Sequence, residues 1–181
     1  TFNPLIIHVA DSETAAKWIE MPDWALGLAE RFWPGPLTFV FPKRRALPEI
    51  VTAGQPALAV RVPADPSARD LLRAVGRPLA APSANRSGRV SPTRAAHVRD
   101  ELSGRIAAIL DGGPCSVGVE STILGGTTPT VLRPGGIALE DIEGALGRSV
   151  AERFNFEPED GPVAPGHLTS HYAPAVALRL H

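Results

Sequence analysis

Residues 81–94 read APSANRSGRVSPTR: four hydroxyl side chains, three arginines, one glycine and no acid. Ser83, Asn85 and Ser87 offer hydrogen bonds to phosphate or hydroxyl oxygens, and Gly88 allows a ligand close to the backbone. Ser91-Pro92-Thr93 has the grammar of a helix start, with Ser91 as cap and Pro92 in first position. A helix opening there would aim unsatisfied N–H groups at an anion in front of it. The same letters also spell an ordinary turn with a capped helix behind it, and the stretch alone does not separate the two.

Other candidates are spread along the chain. In ALAVRVP (57–63) strand alternation puts Ala57, Ala59 and Arg61 on one face and Leu58, Val60 and Val62 on the other. One face is bulky and suits a core. The other is small, with an arginine that suits a carboxylate or phosphate or a structural acid. LIIHVA (5–10) puts His8 on a face with Ile6 and Ala10, either as a core histidine or as a ligand contact. GVEST places Ser121 mid-strand, where a hydroxyl needs a partner. LRPGG ends a strand with Arg133 beside a Pro-Gly turn, a position open to an anion or to solvent. The single cysteine, Cys115, has no nearby histidine to activate it, so it reads as neither nucleophile nor disulfide partner.

The elements that must hold these residues alternate. Strands are expected over 5–10, 37–41, 57–63, 78–83 (short and buried), 106–110, 120–124 and 130–133. Helices are expected over 11–20, 22–33, 65–76, 91–102 and 138–147. Asp65-Pro66 and Gly76 bracket the third helix. Interleaving of this kind implies an α/β fold with a mixed parallel and antiparallel sheet. Residues 157–181 are rich in proline, glycine and histidine and read as a linker. There is no repeat, no P-loop, no G-x-G-x-x-G, no H-E-x-x-H and no C-x-x-C. With 181 residues, a net charge of −1 and few aromatics, the chain fits one domain. It does not fit a general nucleic-acid coat or a polybasic membrane binder. Only Lys17 and Lys43 are lysines; every other basic residue is arginine. No apolar run approaches a membrane span, and the expected location is the cytoplasm. The chain enters an apolar strand almost at once, as if it started inside a domain.

Taken together, NPLIIHV, WPGPLT, AVRVP, APSANRSGRVSPT, GVESTI and LRPG come in an order and spacing that resembles the threonylcarbamoyl-AMP synthase family, with its YrdC-like domain. APGHLTSHYAP is similar to the linker of the family's long members. The resemblance implies a twisted sheet with flanking helices and a concave ligand cavity over 1–156, and a linker over 157–181 toward a further domain. It implies a nucleotidyltransferase that joins L-threonine, bicarbonate or CO2 and ATP into L-threonylcarbamoyl-AMP, releasing pyrophosphate. Mg2+ would accompany the nucleotide. Separate tRNA-modifying machinery would pass the group to adenosine 37. By motif position, Asn3, Ala57, Ser83, Ser91 and Arg133 would contact nucleotide, and His8, Arg61, Ala81 and Ser121 would hold threonine. Ser83 and Asn85, the Ser-x-Asn pair, would act at the reaction centre, and residues 164–174 would form a lid.

One departure stands out: the family's Lys-x-Arg-Pro motif would fall just before Thr1. These residues alone are therefore expected to be inactive or impaired. Two other readings remain at this point. One is a noncatalytic RNA-binding module using Arg86, Arg89, Arg94 and Arg99. The other is a relative that transfers ordinary carbamoyl groups.

Overall fold

The computed structural model describes residues 4–153. Asn3, the tail expected over 157–181 and the lid expected within it lie outside the described residues. Among these there is one sheet, built from β1 (Ile6–His8), β2 (Leu37–Pro42), β3 (Ala57–Arg61), β4 (Leu79–Ala81), β5 (Thr122–Gly125), β6 (Thr130–Arg133) and β7 (Ala151–Glu152). The strand order is β4-β1-β3-β2-β5-β6-β7. β1 and β3, β2 and β5, and β6 and β7 are parallel; the other neighbours are antiparallel. The helices are α1 (Ser12–Ala16), α2 (Asp23–Phe32), α3 (Glu49–Thr52), α4 (Pro66–Val75), α5 (Ala95–Leu102) and α6 (Leu139–Leu146). The expected mixed α/β architecture is therefore present.

Local chemistry sets the helix ends. Asp65 accepts a hydrogen bond from the Ala68 amide at 2.8 Å, which caps α4 ahead of Pro66. Gly76, at φ 69°, closes it in the left-handed conformation that side chains resist. Asp11 caps α1 in the same way, accepting from the Thr14 amide at 2.7 Å.

Strand alternation divides the sheet into two unlike faces. Ile7, Phe39, Phe41, Leu58, Val60, Leu124 and Val131 point to one face and pack against Ala15, Ala25, Leu28, Ala29 and Ile142 from α1, α2 and α6. Trp24 and Trp33 meet Phe39 edge-on, with ring centroids 6.0 and 5.1 Å apart. This is the main core. The opposite face carries a smaller cluster of Val40, Ala59, Ile123 and Leu132, edged by Ile6 and Ala57. No helix contributes to it, so the small side chains of β3 are not filled in by a packed layer.

Two expectations fail here. IAAIL (106–110) is not a strand, because a strand needs a ladder partner and this segment has none among the described residues. Ile106, Ile109 and Leu110 are exposed. The expected buried strand over 78–83 shortens to β4, where Ala80 and Ala81 are exposed, since β4 is the edge of the sheet.

The turn after β6 clamps the approach to β5. The Gly136 amide donates to the Glu120 carbonyl at 2.8 Å. Thr122 Oγ1 donates to the Ile137 carbonyl at 2.8 Å and accepts from its amide at 2.9 Å. Gly135 lies so close that a Cβ would sit 2.4 Å from the Glu120 oxygen and 2.5 Å from Ser121 C and Thr122 N. These are backbone atoms with nowhere to go. Gly135→Ala is therefore expected to lower stability by about 1–3 kcal/mol, read as a reduced midpoint in urea unfolding. Gly144→Ala, inside α6 where a Cβ meets nothing within 4 Å, serves as the control and is expected to hold or raise stability.

Candidate functional site

The register sets a row across five strands, polar on four of them and completed by Ile123 on β5. His8 of β1 pairs with Arg61 of β3, Arg61 with Thr38 of β2, Thr38 with Ile123 of β5, and Ile123 with Arg133 of β6. Paired residues share a face, so the row lies on the face that no helix covers. At about 4.8 Å per strand it runs about 19 Å.

Arg133 reaches this face through an irregularity. The β5–β6 register shifts between Ile123 and Leu124, so Leu132 is an extra residue in β6. Strict alternation from Val131, which belongs to the helix-packed core, would turn Arg133 toward the helices. The bulge turns it back. Its Nη2 donates to the Ser121 carbonyl at 2.7 Å and to Ser121 Oγ at 3.0 Å, and its Nε donates to the same carbonyl at 3.2 Å. Ser121 Oγ also shares a 2.7 Å hydrogen bond with Thr38 Oγ1. Thr38, Ser121 and Arg133 are all buried, so this is a fixed polar network rather than a solvated surface.

Arg61 is half-buried, and its Nε donates to the Gly35 carbonyl at 2.9 Å. Gly35 cannot be replaced freely, since a Cβ would come 2.2 Å from the Phe32 oxygen. Burial pulls the Arg61 guanidinium below its usual basicity; Glu120 opposes this and Arg133 adds to it. Arginine remains charged throughout. Glu120 also accepts the hydroxyl proton of Ser91. His8 is held neutral by burial and secondarily by the charge of Arg61, which together bring its pKa down to about 4. Its Nδ1 is buried with no hydrogen-bond partner. The row therefore offers two fixed positive charges, one carboxylate, an unpartnered imidazole nitrogen and a floor of alanines.

Residues 1–135 match the Sua5/YciO/YrdC family model, described as Telomere recombination. The chain belongs to the Sua5/YciO/YrdC family. It is similar to proteins named threonylcarbamoyl-AMP synthase from Bacillus subtilis (strain 168) and Pyrococcus abyssi (strain GE5 / Orsay), each 46% identical over 182 residues. These alignments cover 98% and 97% of the chain and 53% of each relative, so the chain spans about half their length. The fold matches the crystal structure of P. abyssi Sua5 complexed with L-threonine, with a TM-score of 0.88 and 45% identity. That match covers 96% of this chain and 52% of the other.

Not every residue singled out in this Sua5/YciO/YrdC sequence joins the row. Ala57 and Ala59 do belong to the same face. Ala81 pairs with Ile6 at the edge of the sheet. Ser83 and Asn85 lie in the loop after β4, and Asn85 Nδ2 donates within that loop, to the Arg86 and Arg89 carbonyls at 2.9 and 3.0 Å. Asn85 Oδ1 is buried without a partner. Ser91 is not a helix cap: α5 begins at Ala95 with Arg94 before it, and the Ser91 hydroxyl goes to Glu120 instead. Ser121 precedes β5 rather than standing within it. Arg86, Arg89, Arg94 and Arg99 are exposed, and Cys115 is exposed as well.

Thr38, Gly35 and Glu120 escaped the sequence reading. The alternation of LTFVF, which sets Thr38 and Val40 against Leu37, Phe39 and Phe41, was the available signal for Thr38. A recess of about 290 Å³ opens beside Ser91, lined by Val90, Pro92, His97, Asp100 and Glu101. A larger one of about 490 Å³ lies between α2 and α6, on the helix-covered side and away from the row. The row is the better candidate, because two buried or half-buried arginines and the unpartnered Nδ1 of His8 gather there. Among the described residues no helix is long and apolar enough to cross a membrane.

The histidine gives a signed pH dependence. The unfolded chain binds a proton near the ordinary value of 6.5, and the folded one near 4. Between these values the unfolded state holds more protons, so stability is full above pH 6.5 and is lost as pH falls toward 4. The loss is about 3 kcal/mol or slightly more. In urea unfolding at several pH values, His8→Gln is expected to remove this part of the acid sensitivity; an unchanged slope would show that His8 is not its source.

Proposed function

We propose that the chain carries the amino-acid and nucleotide site of a threonylcarbamoyl-AMP synthase. L-threonine, bicarbonate or CO2, and ATP would give L-threonylcarbamoyl-AMP and pyrophosphate. The observation that supports this best is the row itself: Arg61, His8 and the Ser121–Arg133–Thr38 network on one uncovered face of a fold like that of threonine-bound P. abyssi Sua5.

The chemistry asks for positioning. The neutral amine of threonine attacks the carbon of CO2 and loses a proton to water, giving a carbamate. A carbamate oxygen then attacks the α-phosphorus, a P–O bond to the β-phosphate breaks, and pyrophosphate leaves with the electron pair. No covalent enzyme intermediate is required, which suits a site with no nucleophile–base pair. Two anions must be held in line, and fixed donors do this at little reorganisation cost.

Arg61, steadied by Gly35, takes the threonine carboxylate. The Nδ1 of His8, neutral at physiological pH, gives the threonine hydroxyl a partner it otherwise lacks. Arg133, with Ser121 fixed beneath it, supplies positive charge toward the nucleotide phosphates. Ala57, Ala59 and Ala81 leave room, Ser91 and Asn3 extend the nucleotide contact, and Ser83 and Asn85 approach from the loop. An Mg2+ that arrives on the phosphates would take its ligands chiefly from them and from water, since the row offers arginines, a neutral histidine and the single carboxylate of Glu120. Such an ion needs few protein ligands, and no group of three metal-ligating His, Cys, Asp or Glu side chains occurs among the described residues. When bound, it would neutralise charge on the departing pyrophosphate. The product would then pass to separate machinery that modifies adenosine 37 of tRNA, in the cytoplasm.

Calorimetry with L-threonine tests this reading. Arg61→Ala is expected to weaken threonine binding about tenfold to a hundredfold, the loss of a charged hydrogen-bonding partner, and to leave ATP binding much less affected. Equal threonine affinity in the wild type and the variant would contradict it.

A further inference from the structure

Glu120 is a carboxylate in a site read as taking anions. Its carboxylate accepts the proton of Ser91 Oγ, and it lies within electrostatic reach of Arg61. The backbone carrying it is clamped by the Gly136 amide and by the close packing of Gly135. Ser91 has no duty as a cap, because α5 begins four residues later.

A serine hydroxyl has one proton and two lone pairs. Once the proton is donated to Glu120, Ser91 can only accept. A phosphate oxygen brings only acceptors and negative charge, so Ser91 has nothing to offer it, and the carboxylate behind adds repulsion. A hydroxyl or an amine brings the proton that Ser91 needs.

Building on the proposed function, in which Ser91 touches the nucleotide, we propose that Glu120 is a positioning residue: it fixes Ser91 as an acceptor for a hydroxyl or amine of the nucleoside and excludes phosphate from that position. Glu120 and Ser91 thus act as one unit that reads the nucleoside, while the arginines answer to the anionic groups.

The test compares ATP with inorganic pyrophosphate, which has phosphates and no nucleoside, by calorimetry on the wild-type chain and its variants. Ser91→Ala and Glu120→Ala are each expected to lower the ratio of ATP affinity to pyrophosphate affinity about fivefold to tenfold. The double variant should lose little more than either single one, since the two residues work through one bond. Ser91→Thr and Glu120→Gln, which keep the hydroxyl and an acceptor, should retain most of the ratio and also show that the site tolerates substitution. Pyrophosphate affinity should hold or tighten in Glu120→Ala. The inference is overturned if Ser91→Ala weakens pyrophosphate as much as ATP, or if both alanine variants leave the ratio unchanged. A wild-type chain that binds neither ligand overturns the proposed function, and this inference with it.

Discussion

A pleated strand can give only every second residue to a packed core, and in this sheet the remaining residues are the ones available for chemistry. Phe39, Val60 and Leu124 spend one half of the pattern on the layer formed with α1, α2 and α6. Thr38, Arg61 and His8 occupy the other half, and the same register that aligns the core aligns them. Stability and site are therefore coupled. A one-residue slip in β3 would bury Arg61 against the helices and expose Val60. The aromatic contacts of Trp24 and Trp33 with Phe39 seat the core half of β2, and so leave Thr38 to the opposite face.

The coupling has one exception. Arg133 would face the helices if β6 kept strict alternation, and the bulge at Leu132 returns it to the row. Once there, its guanidinium binds the carbonyl and the hydroxyl of Ser121. A buried guanidinium is costly unless it is hydrogen-bonded, and this bonding offsets part of that cost. It also fixes Ser121 and, through it, Thr38. The Pro134–Gly136 turn follows directly, and Gly135 packs closely on the backbone of residues 120–122. Bulge, turn and network form one unit that anchors the β6 end of the row.

Parts of this were legible in the sequence because their cause is local. Asp65, Pro66 and Gly76 bracket α4 through hydrogen bonds and φ preferences that do not depend on the rest of the chain. The small-and-arginine face of ALAVR follows from period two alone. The direction of Arg133 was hidden, because a bulge is a property of a strand pair and not of TVLR. The partner of Ser91 was hidden for a similar reason: Ser-Pro-Thr carries a helix-start signal, yet a carboxylate 29 residues further along took the hydroxyl. IAAIL shows the opposite error. Its apolar run suits a strand, but no neighbour supplies a ladder. The family signal in APSANRSGRVSPT assigns roles to Ser83 and Asn85, while the hydrogen bond from Ser91 to Glu120 ties that stretch to the segment before β5.

The central claim is that the uncovered face of the sheet, and not the larger recess between α2 and α6, receives the amino acid. Titrating the isotopically labelled chain with L-threonine while following backbone amide and methyl resonances tests this most directly. The account predicts shifts centred on His8, Thr38, Ala59 and Arg61, with Leu28, Ala145 and Leu146 unmoved. Shifts centred on the α2–α6 recess, or none at all at saturating threonine, would contradict it.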